Sequence, residues 1–176
     1  MGKQNYKEEA TNAFTYKDRT KTLFNGTDSI KDGKFTFSFA LPKDISHSNN
    51  SGLINVYAVN EDKTISANGY NKDFIIQGSN IAQIDSVGPS IFCYLNSPSF
   101  TNGDKVNSTP LLAIELLDKS GINVSGNGIG HDLQVTIDGD MNKTYNLNSN
   151  FKFDFGSYTK GTALFIIPEF EPGNHQ

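Results

Sequence analysis

Phe35-Thr36-Phe37-Ser38-Phe39-Ala40-Leu41 puts a large apolar side chain at every second position and a small or hydroxylated one between. Successive side chains of an extended chain point to opposite faces, so three Phe and one Leu share one side, as in a strand with one buried face. Lys31-Asp32-Gly33-Lys34 lies immediately upstream, and its Gly can take positive φ between two extended runs. Leu23 to Ile30 and Lys34 to Leu41 therefore read as a hairpin. Pro42, with no N–H to donate, closes the second arm.

The same texture continues outward. Gly52 to Val59, Thr64 to Ala67 and Phe74 to Gln77 are further strand candidates between Asn, Gly and Asp clusters. After Val87-Gly88-Pro89, a joint that breaks any ladder, six more follow: Ser90–Leu95, Leu111–Leu117, Leu133–Ile137, Thr144–Leu147, Phe151–Phe155 and Ala163–Ile167. That spacing is the one a β-sandwich requires. No helical period interrupts it. Thirteen Phe, seven Tyr, sixteen Gly and twenty Asn against two Met and no Trp tell the same story, strand and turn formers without helix formers.

The expected fold is all-β, with two tandem immunoglobulin-like or fibronectin-like antiparallel sandwiches. The first covers residues 1–82 and is incomplete on its N-terminal side; the second covers 86–176 and lacks its last strand. Each falls short of the seven or so strands such a sandwich holds. A fragment of a longer polypeptide, with unpaired strands at its sheet edges open to an edge-mediated oligomer, is the expectation.

Composition narrows function. Fifteen Lys plus Arg against nineteen Asp plus Glu leave a net charge of -4, the wrong sign for the basic surface that nucleic acid selects. No window approaches the run of about 18 apolar residues that a membrane-spanning helix needs, and the residues after Met1 are polar, unlike a signal peptide. One cysteine, Cys93, rules out an intramolecular disulfide and any thiolate cluster.

Cys93 and His131 are the candidate thiol and base, but Cys93 lies mid-strand between Phe92 and Tyr94 and reads as a small packing residue. The loop Gly126-Asn127-Gly128-Ile129-Gly130-His131-Asp132 has the glycines of a dinucleotide loop without the following helix, so no cofactor is expected. Gly126, Gly128, Gly130, His131 and Asp132 read instead as a structural loop motif tied to itself by the imidazole or the carboxylate. His131, Asp132 and Asp118 are the weak candidates for a metal, since the acids lack the spacing of a calcium loop. Without Trp, a sugar-binding surface would rest on Tyr6, Tyr16, Tyr70 or Tyr158.

The runs Gly88-Pro89-Ser90-Ile91, Tyr94-Leu95-Asn96, Leu117-Asp118-Lys119-Ser120-Gly121-Ile122-Asn123, Gly126 to Asp132 and Ile137-Asp138-Gly139 carry a specific resemblance. They resemble the region downstream of the catalytic domain in the gingipain-like cysteine peptidases that serve as signal peptidase and sortase of the Bacteroidetes type IX secretion system. Phe14-Thr15-Tyr16-Lys17, Gly33-Lys34-Phe35, Leu41-Pro42-Lys43-Asp44-Ile45 and Tyr57-Ala58 resemble the stretch before it.

The resemblance implies a parent exported to the cell surface or outer membrane. A caspase-like domain there removes the C-terminal targeting domain of cargo and joins the new terminus to anionic lipopolysaccharide. The family's catalytic motifs match no position here, so no catalytic residue is carried over. The partners implied are the peptidase domain of the same parent, other type IX components and cargo. Asp28-Ser29-Ile30 and Asp85-Ser86-Val87 resemble the short O-glycosylation motif of Bacteroidetes, which makes Ser29 and Ser86 candidate modification sites.

Overall fold

The computed structural model describes residues 3–6, 14–17, 22–41, 50–77, 87–126 and 132–176. Among these there is no α-helix, and every strand pairing is antiparallel. The strands are β1 (Lys3–Tyr6), β2 (Phe14–Lys17), β3 (Ile54–Val59), β4 (Ser66–Asn71), β5 (Ser90–Leu95), β6 (Leu111–Leu117), β7 (Gln134–Thr136), β8 (Thr144–Asn146), β9 (Phe151–Phe153) and β10 (Lys160–Ile166). All six strands expected after the Gly-Pro joint are present, β5 and β6 with the bounds read from sequence.

Four of them form one sheet in the order β5-β6-β10-β9. β6 is a central strand, and its alternation decides which face is buried. Leu112, Ile114 and Leu116 are 8%, 6% and 5% exposed, while Leu111, Glu115 and Leu117 face solvent. The register Ile114↔Ala163 and Ala163↔Phe151 carries the apolar layer across β10 to β9. β7 and β8 pair with each other and bring Val135, Ile137, Tyr145 and Leu147 to the same cluster, so the core lies between two layers. Leu147 is fully buried. Each such aliphatic side chain contributes roughly 1.5–3 kcal/mol by leaving water.

Gly161 of β10 sits tight against β9. A Cβ there would stand 2.4 Å from the Phe151 ring and 2.5 Å from the Lys152 carbonyl oxygen, so only hydrogen fits.

The stretch around Phe35 departs from expectation in two respects: it forms no strand ladder, and the face expected to be buried leaves Phe35, Phe37 and Leu41 exposed, because no second layer among the described residues covers them. Its turn forms as read: Lys31 and Lys34 exchange both main-chain hydrogen bonds at 2.9 Å, with Asp32 and Gly33 at φ 51° and 72°, a type I′ turn. Beyond that rung the two arms make no ladder. The alternate Phe side chains do share a face, stacked Phe35 on Phe37 at 6.1 Å and Phe37 on Phe39 at 6.2 Å. Phe24 packs on Phe39 and on Phe153 of β9. Ring contacts take the place of strand pairing.

Contacts also group the chain otherwise than the linear division at 82 and 86. Met1–Pro42 goes with Asp85–Gln176, and Lys43–Ile84 forms a second compact unit. The physical reason is local to the first unit: Phe24 seats on Phe153, the Gly156 N–H donates to the Thr27 carbonyl at 2.8 Å, and Ala40 fills the space beside Gly121. In the second unit β3 and β4 form a hairpin in the register Ile54↔Asn71 to Val59↔Ser66. The Phe74 ring lies over Gly52, and the Gly52 N–H donates to the Phe74 carbonyl. Phe74 to Gln77, expected as a strand, joins no ladder.

Candidate functional site

Cys93 is exposed, which corrects its reading as a packed residue. It lies on β5 opposite Ile114, on the core-facing side of the sheet. β5 is an edge strand among the described residues; Leu95 at its end packs against the core, but Ile91, on the same face as Cys93, is 63% exposed. His131, Gly128, Gly130 and Ser86 lie outside the described residues.

The Gly-rich loop is tied down at its described ends by Asp132 and Asn148. Asn148 Nδ2 donates to Asp132 Oδ1 at 2.7 Å, and Asn148 Oδ1 accepts from the Leu133 N–H at 2.7 Å. Gly126, at φ 62°, lies against both: a Cβ there would be 2.7 Å from Asn148 Nδ2 and 3.1 Å from Asp132 Oδ1. Asp132 is thus held by an Asn sixteen residues downstream. Nothing in the local sequence marks Asn148 for that task.

Asp118 serves its own turn. Its Oδ1 accepts from the Ser120 N–H at 2.8 Å and its main-chain oxygen from the Gly121 N–H at 3.2 Å. Among the described residues, no three His, Cys, Asp or Glu side chains gather as metal ligands. Ser29 is exposed; its N–H donates to Asp28 Oδ1 at 2.6 Å.

One charged constellation escaped the sequence reading. β7 leaves through Asp138 and Gly139, both at positive φ in a two-residue turn, and the Ile137 N–H returns to the Lys143 carbonyl. His175 Nδ1 stands 2.8 Å from Asp138 Oδ2, and His175 Nε2 stands 2.8 Å from the Glu171 carbonyl oxygen. Both partners are acceptors, so the two contacts are both satisfied only when each ring nitrogen carries a proton, and together they favour the cationic imidazole. Its ring also packs on Phe170 at 4.5 Å. The hydrogen bond to Asp138, then that to Glu171, raises the His175 pKa. The same bond, followed by the Gln176 N–H, lowers that of Asp138. The two partners lie 37 residues apart, beyond the reach of any local spacing signal.

The outward face of the four-stranded sheet carries Phe92, Glu115, Leu117 and Leu164, all exposed. Tyr94 donates from its hydroxyl to Glu115 Oε1 at 3.2 Å; partial desolvation and that carboxylate raise its pKa. Two shallow, open depressions of about 400 and 340 Å³ mark the sheet, the larger along Lys152, Asp154, Thr162 and Leu164. In the second unit, Tyr57 and Tyr70 stand 71% and 67% exposed on one face of the β3–β4 hairpin, with Lys72 Nζ 5.8 Å from the Tyr70 ring. Among the described residues no helix is long and apolar enough to cross a membrane.

No family model and no curated protein matches the chain. Among solved structures, it is similar to the crystal structure of dimeric latent PorU from Porphyromonas gingivalis, at 34% identity and a TM-score of 0.51. The match covers 98% of this chain and 16% of that one, so the chain spans a small part of the protein it resembles.

Proposed function

We propose that this chain is a non-catalytic spacer and docking module of a cell-surface cysteine peptidase, the type IX secretion signal peptidase and sortase that removes C-terminal targeting domains from exported cargo. The observation that carries the reading is the PorU similarity, which runs through nearly all of this chain while taking up 16% of that one. The sheet order supports an immunoglobulin-like arrangement: β5-β6-β10-β9 follows the A-B-E-D order of such domains, with β7 and β8 in the places of C and C′.

In this reading the partners are the peptidase domain of the parent, other type IX components and cargo, at the cell surface or outer membrane. The exposed β5 edge is where a second copy pairs. Incubating the purified chain with a targeting-domain substrate gives no turnover. Robust cleavage that disappears in Cys93→Ala overturns the reading, and recovery of type IX components in a pull-down supports it.

A second reading, a carbohydrate-binding or adhesion module, draws on Tyr57 and Tyr70, two exposed rings on one hairpin face. Glycan-array binding that is lost in Tyr57→Ser would favour it over the docking role.

A further inference from the structure

Asn is followed by Gly at Asn25-Gly26, Asn68-Gly69, Asn102-Gly103 and Asn127-Gly128, the last outside the described residues. Gly has no Cβ to shield its nitrogen, so in each pair the side-chain amide carbon lies within reach of the next main-chain nitrogen. The fold treats the three described pairs differently. In the β3–β4 hairpin the Asn60 N–H donates to the Ile65 carbonyl, and antiparallel alternation from that rung makes Val56↔Gly69 a hydrogen-bonded pair. The Gly69 nitrogen is therefore held in the ladder. At Gly26 the Phe24 ring stands 2.3 Å from where a Cβ would be, and that ring packs in turn on Phe39 and Phe153. Neither peptide turns over without opening its surroundings.

Asn102-Gly103 has no such guard. The Asp104 N–H donates to the Thr101 carbonyl at 3.0 Å and Gly103 sits at φ 96°, so the pair forms the two corners of a type II turn in the connection from β5 to β6. The Thr101 N–H and hydroxyl both donate to Asp104 Oδ2 at 2.8 Å, which pins the two ends of the turn. Its middle is open: residues 101–104 are exposed, and no atom beyond the chain neighbours lies within 4 Å of where a Gly103 Cβ would be. Among the described residues no hydrogen bond engages the Asn102 amide or the Gly103 N–H. Because Gly takes either sign of φ, the peptide between them flips between type II and type I corners with the Thr101–Asp104 bond intact. That rotation carries the Gly103 nitrogen past Asn102 Cγ.

We infer that Asn102 is a site of spontaneous covalent modification, at which its side chain closes on the Gly103 nitrogen and then opens to a carboxylate. The deprotonated Gly103 nitrogen attacks Asn102 Cγ; the N–Cγ bond forms, the Cγ–Nδ2 bond breaks, and Nδ2 takes up the proton that Gly103 gave and leaves as ammonia. Water then opens the cyclic imide at either carbonyl, leaving an aspartate or an isoaspartate at position 102. Either product places a new negative charge beside Asp104, whose carboxyl the Thr101 bonds hold below the usual carboxylate range. The isoaspartate also routes the main chain through an extra methylene, inside a turn whose ends are pinned. The site involves neither a peptidase nor a sugar, so it is tested apart from the proposed function.

The test ages the 176-residue chain in a mildly alkaline, ammonia-free buffer and maps its peptides by mass spectrometry, reading amide-to-acid conversion at Asn102, Asn25 and Asn68 in the same molecules. Asn102 converts at least about tenfold faster than the other two, which wait on local opening. Its product divides into aspartate and isoaspartate forms, the second labelled by an isoaspartyl methyltransferase. In urea the three rates converge, because the dipeptide is the same and only the fold differs. Gly103→Ala slows conversion at Asn102 and leaves Asn25 and Asn68 unchanged. Equal rates in the folded chain overturn the inference, as does a lead for Asn102 that persists in urea or survives Gly103→Ala.

Discussion

The β5-β6-β10-β9 sheet and the β3–β4 hairpin use the same alternation to different effect. β6 buries Leu112, Ile114 and Leu116 because β7 and β8 close over that face, whereas no residue of β3 or β4 is buried, and Tyr57, Val59 and Tyr70 stand in water. Two antiparallel strands satisfy each other's main chain but cannot enclose a side chain; that takes a second layer. Stability in this molecule is therefore concentrated in the first unit, and substitutions there and in the hairpin separate sharply.

Leu147→Ala breaks the contrast most severely. Its side chain is fully buried, so the loss is about 2–5 kcal/mol in urea unfolding, from transfer and cavity together. A cost under about 1 kcal/mol would mean that the β7–β8 layer does not seal the core. Gly161→Ala comes next at about 1–3 kcal/mol, since the added methyl meets the Lys152 carbonyl, a main-chain atom that cannot swing aside. Thermal melting of that variant reads the effect directly. Asn148→Ala removes the acceptor of the Leu133 N–H and the donor to Asp132, and costs about 1 kcal/mol. Faster exchange confined to the Leu133 amide and its neighbours would distinguish a loosened loop from a loosened core.

The His175–Asp138 clasp adds a pH dependence to the first unit. A raised His175 pKa contributes stability that is complete below the imidazole's ordinary value near 6.5 and lost as pH rises through the folded value. A lowered Asp138 pKa contributes stability that is complete above the ordinary value near 3.8 and lost as pH falls through the folded value. The clasp is strongest between those two ordinary values. Melting temperature followed across pH for the parent and for Asp138→Asn checks this; parallel profiles would sink it. At the quiet end, Tyr57→Ser shifts unfolding by no more than about 0.5 kcal/mol, because the residue is largely exposed. A larger loss would show that the hairpin face is covered.

Strand positions after Pro89 were legible because their signal is local. In Leu111 to Leu117 the alternation lies within seven consecutive residues, and the turn at Asp32-Gly33 is fixed by two. The Phe35 to Leu41 run shows the limit. Its alternation put the rings on one face, but no property of those seven residues decides whether that face is covered; only Phe39 packs on Phe24, and Phe35, Phe37 and Leu41 stay exposed. Cys93 was misread for the same reason: strand position determines the face, while exposure depends on what lies over it. Asn148 and His175 went unseen because each acts on a partner far along the chain, where spacing carries no signal.

By itself the sequence determined an all-β chain, its turns, and which side chains share each face, since main-chain sterics and the two-residue repeat of an extended strand act between neighbours. Only the tertiary structure decided which faces are buried, that residues 22–41 group with the later strands, that Asp132 is held by Asn148, and that Asp138 meets His175. Each of those depends on segments brought together across the chain, and the energy of such contacts is set by what packs against them.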